Sequence, residues 1–152
     1  WGDITVIGCV DPRVDPAYVL GLRHGEAAMI RNVGGRVTQS TLRTLAMLAK
    51  VRQAHAPAAA PAATRTLVVL HHTRCGINDL ASYPDLLAGY FEIAESALAT
   101  KSVTNPYGSV RVDVDVLTTA LRGPDTVVAG LVYDVDTGAV DVVAHPTRLP
   151  AP

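Results

Sequence analysis

Cysteine is scarce in this chain: Cys9 and Cys75 are its two examples in 152 residues. One disulfide is the most they can form. A chain of this size without an export signal does not depend on bridges as small secreted domains do, so reduced thiols are expected. An excess of either charge is missing as well. Thirteen Lys and Arg against fourteen Asp and Glu leave a net charge of -1, and the basic residues are scattered, which excludes the electrostatic footprint of a nucleic-acid-binding surface. Long apolar runs are absent too, since Leu67-Val68-Val69-Leu70 falls far short of the roughly 20 residues that span a bilayer. No charged start followed by an apolar stretch marks a signal peptide. These absences describe a soluble, cytoplasmic protein without a nucleic-acid or membrane partner. An initiator Met is also lacking, and Trp1 stands almost at the first strand with no leading helix, as expected of a chain without a natural N-terminal segment.

What remains is ample for one compact domain over residues 1–152, because 49% of the residues are hydrophobic and 18% charged, a balance that supports a sizeable core. Ile4 to Ile7 is β-branched and apolar, and it leads through Gly8 into Cys9-Val10-Asp11-Pro12-Arg13, where Pro12 stops a central strand. Ala27 to Ile30 reads as a second strand running into Arg31-Asn32-Val33-Gly34-Gly35, whose paired glycines permit a tight turn. The spacing of Leu42, Leu45, Ala46 and Ala49 predicts an amphipathic helix over Ser40 to Val51. The Ala/Pro stretch 54–63 is expected to be a surface connector. Thr66 to Leu70 has the continuous apolar character of a strand in a covered parallel sheet, and it delivers His71-His72-Thr73-Arg74-Cys75-Gly76. Ser82 to Asp85 resembles a capped helix start, with Leu87, Tyr90, Phe91, Ala94 and Leu98 on one helical face. Asp113 to Arg122 repeats the helical pattern, Val127 to Tyr133 and Ala139 to Val143 read as a closing hairpin, and residues 146–152 as a tail. Strands alternating with helices predict an α/β fold with a mostly parallel central sheet flanked by helices and an antiparallel C-terminal edge strand. In such sheets ligands bind at the carboxyl ends of strands, where the polar loops just described fall.

Cys9 and the distant His72-x-x-Cys75 pair supply three soft or borderline donors, a set that zinc accepts in tetrahedral geometry. Three protein ligands leave one position open, and His24, His55 and His145 lack the spacing to fill it, which points to catalysis rather than a structural metal. Two isolated cysteines are also compatible with plain apolar burial. His71 is the adjacent competitor of His72, and packing beside the site is the expected role for it.

Cys9-x-Asp11-x-Arg13 followed by His72-x-x-Cys75-Gly76 resembles the double signature of the β-class carbonic anhydrases, in particular the smaller bacterial members. Arg31-Asn32-Val33-Gly34-Gly35 is similar to the Arg-Asn-Ala-Gly segment between the two halves, and Gly130 to Gly138 resembles the family's terminal strand pair. The resemblance implies one Zn2+ per chain on Cys9, His72 and Cys75, an α/β fold assembled as a homodimer or higher homo-oligomer, and reversible hydration of carbon dioxide to bicarbonate and a proton. It implies an Asp11–Arg13 dyad, in which Asp11 is either a fourth zinc ligand that closes the site or an acceptor that orients the attacking oxygen while Arg13 holds it away. The planar Arg13 fork suits a carboxylate as a lysine would not. By proximity His71 is a candidate proton shuttle. By family analogy the Gly76 backbone N–H approaches substrate, and Gly34 and Gly35 shape a turn beneath the site.

Two positions depart from the family's commoner pattern: Pro12, where a small residue is usual, and Arg74, where Asp or Gly is more familiar. Arg74 is expected to stabilise the thiolates, to compete with Arg13 for Asp11, or to point outward to solvent. Two other functions stay open at this level. One is hydrolysis of carbon disulfide or carbonyl sulfide on the same site, and the other is a non-catalytic zinc or thiol protein, including one with a Cys9–Cys75 disulfide.

Overall fold

A computed structural model describes residues 2–55 and 64–151. The aliphatic and β-branched stretches become five strands: β1 (Ile4–Cys9), β2 (Ala27–Asn32), β3 (Arg65–His72), β4 (Thr126–Tyr133) and β5 (Val140–Arg148). They form a single sheet in the order β2-β1-β3-β4-β5, parallel from β2 to β4, with β5 antiparallel to β4. This is the mostly parallel sheet with an antiparallel C-terminal edge that the sequence predicts. Parallel pairing requires crossovers. They are supplied by α1 (Pro16–Leu20), α2 (Gln39–His55), α3 (Pro84–Phe91) and α4 (Pro106–Ala120).

The central strand β3 is buried from Leu67 to His72, so apolar side chains serve both faces and the strand reads as a continuous hydrophobic run. Ile7, Leu67 and Val69 pack with Val110, Val114 and Leu117 of α4, while Val6, Val68 and Leu70 pack with Val14 on the other face. Alternation along the strand therefore sends His71 and His72 to opposite sides. Helix starts are fixed by side-chain caps followed by proline: Asp15 accepts from the amides of Ala17 and Tyr18 ahead of α1, and Asn105 from those of Tyr107 and Gly108 ahead of α4.

Several expected boundaries differ. α2 continues to His55, so Ala54 and His55 belong to the helix and not to the connector; residues 56–63 lie outside the described residues. The single helical face expected from Leu87 to Leu98 is broken. α3 ends at Phe91 because Glu92 turns left-handed at φ 57°, and a 3-10 segment, Glu95–Lys101, follows. α4 starts at Pro106, well before Asp113. β5 extends to Arg148 and Leu149 is buried, so the last strand takes up much of the expected tail.

Register decides where the chemistry sits. Cys9 lies opposite Asn32 and His72 opposite Tyr133, so the loops after β1 to β4 meet along the carboxyl edge of the parallel strands.

Candidate metal centre

Cys9 ends β1, His72 ends β3, and Cys75 follows one short turn later; all three are buried. Their donor atoms all lie within 4.8 Å of one another, and the two sulfurs are 3.7 Å apart. Zn–S bonds of about 2.3 Å in tetrahedral geometry place two sulfurs about 3.8 Å apart, which matches. Both cysteines are free, so the disulfide form is not the arrangement found. The Nδ1–H of His72 donates to the Thr73 carbonyl at 2.9 Å, leaving the lone pair on Nε2, and Nε2 is buried without a hydrogen-bond partner. A buried acceptor left in this way is costly unless something binds it. Two thiolate-forming sulfurs and an oriented imidazole nitrogen fit zinc.

The sulfurs are prepared for negative charge. The Cys75 thiol's hydrogen bond lowers the Cys9 pKa to about 4 against the opposing effect of burial, helped by the amides of Asp11 and Gly34. The same hydrogen bond, together with burial, pushes Cys75 upward, although the Ile77 amide favours its thiolate. Alone, the pair holds one thiolate and one thiol. A cation between them is what allows both protons to leave.

The turn after β2 supports this arrangement. Gly35, at φ 65°, passes so close to β1 that a Cβ there would lie 2.9 Å from the Cys9 nitrogen and from the Gly8 carbonyl carbon. Gly34, at φ 78°, lies beside Ile77. Both glycines thus shape a turn beneath the site as expected, and the Gly34 amide adds a contact to Cys9 that the sequence does not reveal. Arg31 donates to the carbonyls of Cys9 (2.8 Å), Asp11 (2.9 Å) and Val14 (3.1 Å), tying the loop after β1 to the end of β2. Asn32 exchanges hydrogen bonds with the Arg36 backbone. The Arg-Asn-x-Gly-Gly order is the only sequence signal of these roles.

Asp11 and Arg13 pair closely. The Arg13 amide and Nε donate to Asp11 Oδ1 at 2.9 and 3.0 Å, and Nη2 donates to Oδ2 at 2.7 Å and to the Arg74 carbonyl at 2.9 Å. The Arg13 guanidinium holds the Asp11 pKa down to about 2. Asp11 Oδ2 stands 3.9 Å from His72 Nε2, at the rim of the ligand cluster. Pro12 occupies the second place of a turn closed by the Val14 amide on the Asp11 carbonyl at 3.1 Å, a position proline favours. Arg74 does not compete for Asp11: its side chain points outward and Nε meets Asp136 Oδ2 at 2.9 Å.

Gly76 opens a 3-10 segment, Gly76–Ser82, on the exposed side of Cys75, and a Cβ there would touch nothing. Its backbone proximity to substrate stays an analogy. His71 is packed inside the fold, the role expected of it, and not opened to solvent as the candidate shuttle would be. It is buried on the α4 face, with Nδ1 2.7 Å from Ser109 Oγ and Nε2 3.1 Å from the Gly35 carbonyl and 3.3 Å from Asp113 Oδ2. Both ring nitrogens are engaged inside the protein and the ring has almost no contact with solvent, which a shuttle to bulk water needs. Asp113 also receives Arg36 Nε at 2.8 Å and the Val37 amide at 3.0 Å, and both members of this ion pair are essentially inaccessible. Burial alone would raise the Asp113 pKa, but His71 and Arg36 together bring it below the ordinary value.

A cavity of about 10 Å³, room for one water, is lined by His72, Cys75, Ile77 and Arg36 among others. Ile77, Leu87 and Phe91 form an apolar cluster against the two cysteines.

A sequence model of the family described as carbonic anhydrase matches residues 4–88. The chain is 36% identical over 74 residues to β-carbonic anhydrase 1 of Mycobacterium tuberculosis, a match that covers 49% of this chain and 39% of that protein. The matched part is thus well under half of that relative's length. Among solved structures, carbonic anhydrase from Streptococcus mutans superposes with a TM-score of 0.65 at 31% identity, covering 93% of this chain and 81% of that one. A carbon disulfide hydrolase superposes with a TM-score of 0.68 at 22% identity over 95% of this chain and 79% of that one, a likeness of fold alone.

Proposed function

The chain belongs to the β-carbonic anhydrase family, and from that premise we propose that it is a zinc-dependent carbonate dehydratase, interconverting carbon dioxide plus water with bicarbonate plus a proton. The observation that carries this reading is the buried Cys9–His72–Cys75 cluster, whose His72 Nε2 has no partner in the protein. Zinc held by these three residues would supply Lewis acidity, lowering the pKa of water so that a nucleophile forms near neutral pH.

The chain's own residues do the rest. Asp11, kept ionised by Arg13, is placed beside His72 Nε2 to accept a hydrogen bond from the attacking water and so aim an oxygen lone pair at the carbon. Arg13 holds that carboxylate with both of its oxygens engaged, which restrains it from becoming a fourth ligand. The apolar cluster of Ile77, Leu87 and Phe91 suits an uncharged gas. Because His71 is sealed by Ser109, Gly35 and Asp113, the proton leaves on the Asp11 side to solvent or buffer.

We further infer self-association. The 17-residue helix α2 buries only Thr41 and Leu45 among its side chains, with Met47 left 66% exposed. The edge strand β2 likewise exposes Met29. A second copy of the chain is the proposed cover. Free thiols 3.7 Å apart suit a reducing cytoplasm. No described helix is long and apolar enough to cross a membrane.

The test is metal analysis with stopped-flow carbon dioxide hydration on the parent and on Cys75→Ala. We expect one zinc per parent chain, and loss of zinc and activity in the variant; an active, zinc-loaded variant refutes the ligand set. Turnover of carbon disulfide or carbonyl sulfide without carbon dioxide hydration would reassign the substrate. Stoichiometric zinc without turnover of any of the three gases would mark a non-catalytic metal protein.

A further inference from the structure

Arg13 is a long side chain, half exposed to solvent, and one carboxylate partner does not by itself keep such a chain in a single rotamer. Its Nη2 has a second acceptor, the Arg74 carbonyl at 2.9 Å. That carbonyl is available because Arg74 adopts φ 51°, one of three non-glycine residues with positive φ among the described residues. Left-handed backbone is unfavourable for a residue with a Cβ and persists where the surroundings impose it.

The surroundings here are the β4–β5 hairpin. The Thr73 amide donates to the Tyr133 carbonyl at 3.0 Å and the Val135 amide to Thr73 Oγ1 at 3.1 Å. The Arg74 guanidinium then reaches Asp136 at 2.9 Å. Asp136 is itself set in a tight turn, in which Asp134 Oδ1 accepts the amides of Asp136 and Thr137 and the Gly138 amide returns to the Asp134 carbonyl. A continuous set of contacts runs from the hairpin through Asp136, Arg74 and the Arg74 carbonyl to Arg13 and Asp11.

We propose that Arg74 and Asp136 are positioning residues: their ion pair holds the turn that presents the Arg74 carbonyl to Arg13, and thereby keeps Asp11 turned from the metal ligands. The inference rests on the reading that Cys9, His72 and Cys75 hold zinc. Neither residue touches substrate. Both partners are largely exposed, so the effect is small, about three- to fivefold, and it weakens as salt rises.

The test uses the full chain loaded with Co2+ in place of zinc, as the parent, Arg74→Ala, Asp136→Ala and the reversed pair Arg74→Asp with Asp136→Arg. All four should bind one cobalt per chain. Both single variants should shift the visible cobalt absorption in the same direction, as Asp11 gains access to the metal, and should lower kcat/KM about three- to fivefold. The reversed pair should restore both, and raised ionic strength should move the parent toward the single variants. Single-variant spectra that superimpose on the parent overturn the proposal. So do shifts that the reversed pair fails to restore, since those belong to the backbone turn and not to the ion pair. A parent that does not hydrate carbon dioxide, yet shows the charge-dependent spectra, overturns the functional reading while the positioning role stands.

Discussion

Asp113→Asn is the perturbation whose size the structure fixes most firmly. Asp113 is fully buried, and its Oδ2 takes hydrogen bonds from Arg36 Nε and the Val37 amide and lies 3.3 Å from His71 Nε2, while Oδ1 takes Arg36 Nη2 at 3.2 Å. Asparagine keeps the shape and one acceptor, but it leaves the buried Arg36 cation without its counter-charge and turns an NH2 toward a donor. Removing one partner of a buried pair costs about 3–5 kcal/mol, and the conservative shape places this change near 3 kcal/mol. For a domain of this size that lowers Tm by roughly 6–12 °C. Urea unfolding followed by circular dichroism measures it directly. The pH dependence has a defined sign. Asp113 has a lowered pKa in the folded protein, so its contribution is complete above the unfolded carboxylate value of about 3.9 and is lost as pH falls below that. The gap between parent and variant should therefore be flat from pH 7 to about 5 and narrow in stronger acid. The double variant Arg36→Met with Asp113→Leu should lose less than the sum of its single changes, because no buried charge is stranded. An Asp113→Asn protein within about 1 kcal/mol of the parent would refute the reasoning.

Three further outcomes are expected. Asp11→Asn should retain one zinc per chain and lower kcat/KM, which metal analysis and stopped-flow hydration measure; unchanged kinetics would remove Asp11 from the chemistry. Gly35→Ala should lower both Tm and zinc content, because the new Cβ meets the Cys9 backbone at 2.9 Å and φ 65° disfavours it; a variant with parental zinc content would show that β1 yields without moving its ligand. In the metal-free protein, thiolate absorbance near 240 nm should correspond to one sulfur per chain at pH 7, fall to half near pH 4 and vanish below it, since Cys9 is lowered to about 4 and Cys75 raised; two thiolates at neutral pH would contradict the hydrogen-bonded pair.

The sheet and the candidate Cys9, His72 and Cys75 cluster are legible because they rest on local signals. Aliphatic runs such as Leu67 to Leu70 mark buried strands without help from tertiary context, and a polar motif directly after each run marks the carboxyl edge. The Asn105-Pro106 start of α4 carried a cap signal that the apolar periodicity, read only from Asp113, passed over. The break in the helix after Phe91 carried none. Tyr90, Phe91, Ala94 and Leu98 continue a helical spacing, and the left-handed residue is Glu92, which has no intrinsic preference for that conformation. The Arg36–Asp113 pair was equally hidden, because its members lie 77 positions apart and each alone reads as a surface charge. His71, expected to pack beside the site, does pack, but on the α4 face, because neighbours in a strand point to opposite sides.

Cys9 ends β1 and Cys75 lies in the turn after the neighbouring β3, 66 positions away, with β2 and α2 threaded between them. An unfolded chain can offer a metal only the local His72-x-x-Cys75 pair, and the full donor set exists once β1 has paired with β3. Metal affinity is in that case part of the free energy of folding, and capture comes late, after the slow closure of a long parallel crossover. Zinc would therefore act as a sensor of correct topology, binding tightly to chains that have paired these strands in register and releasing from those that have not.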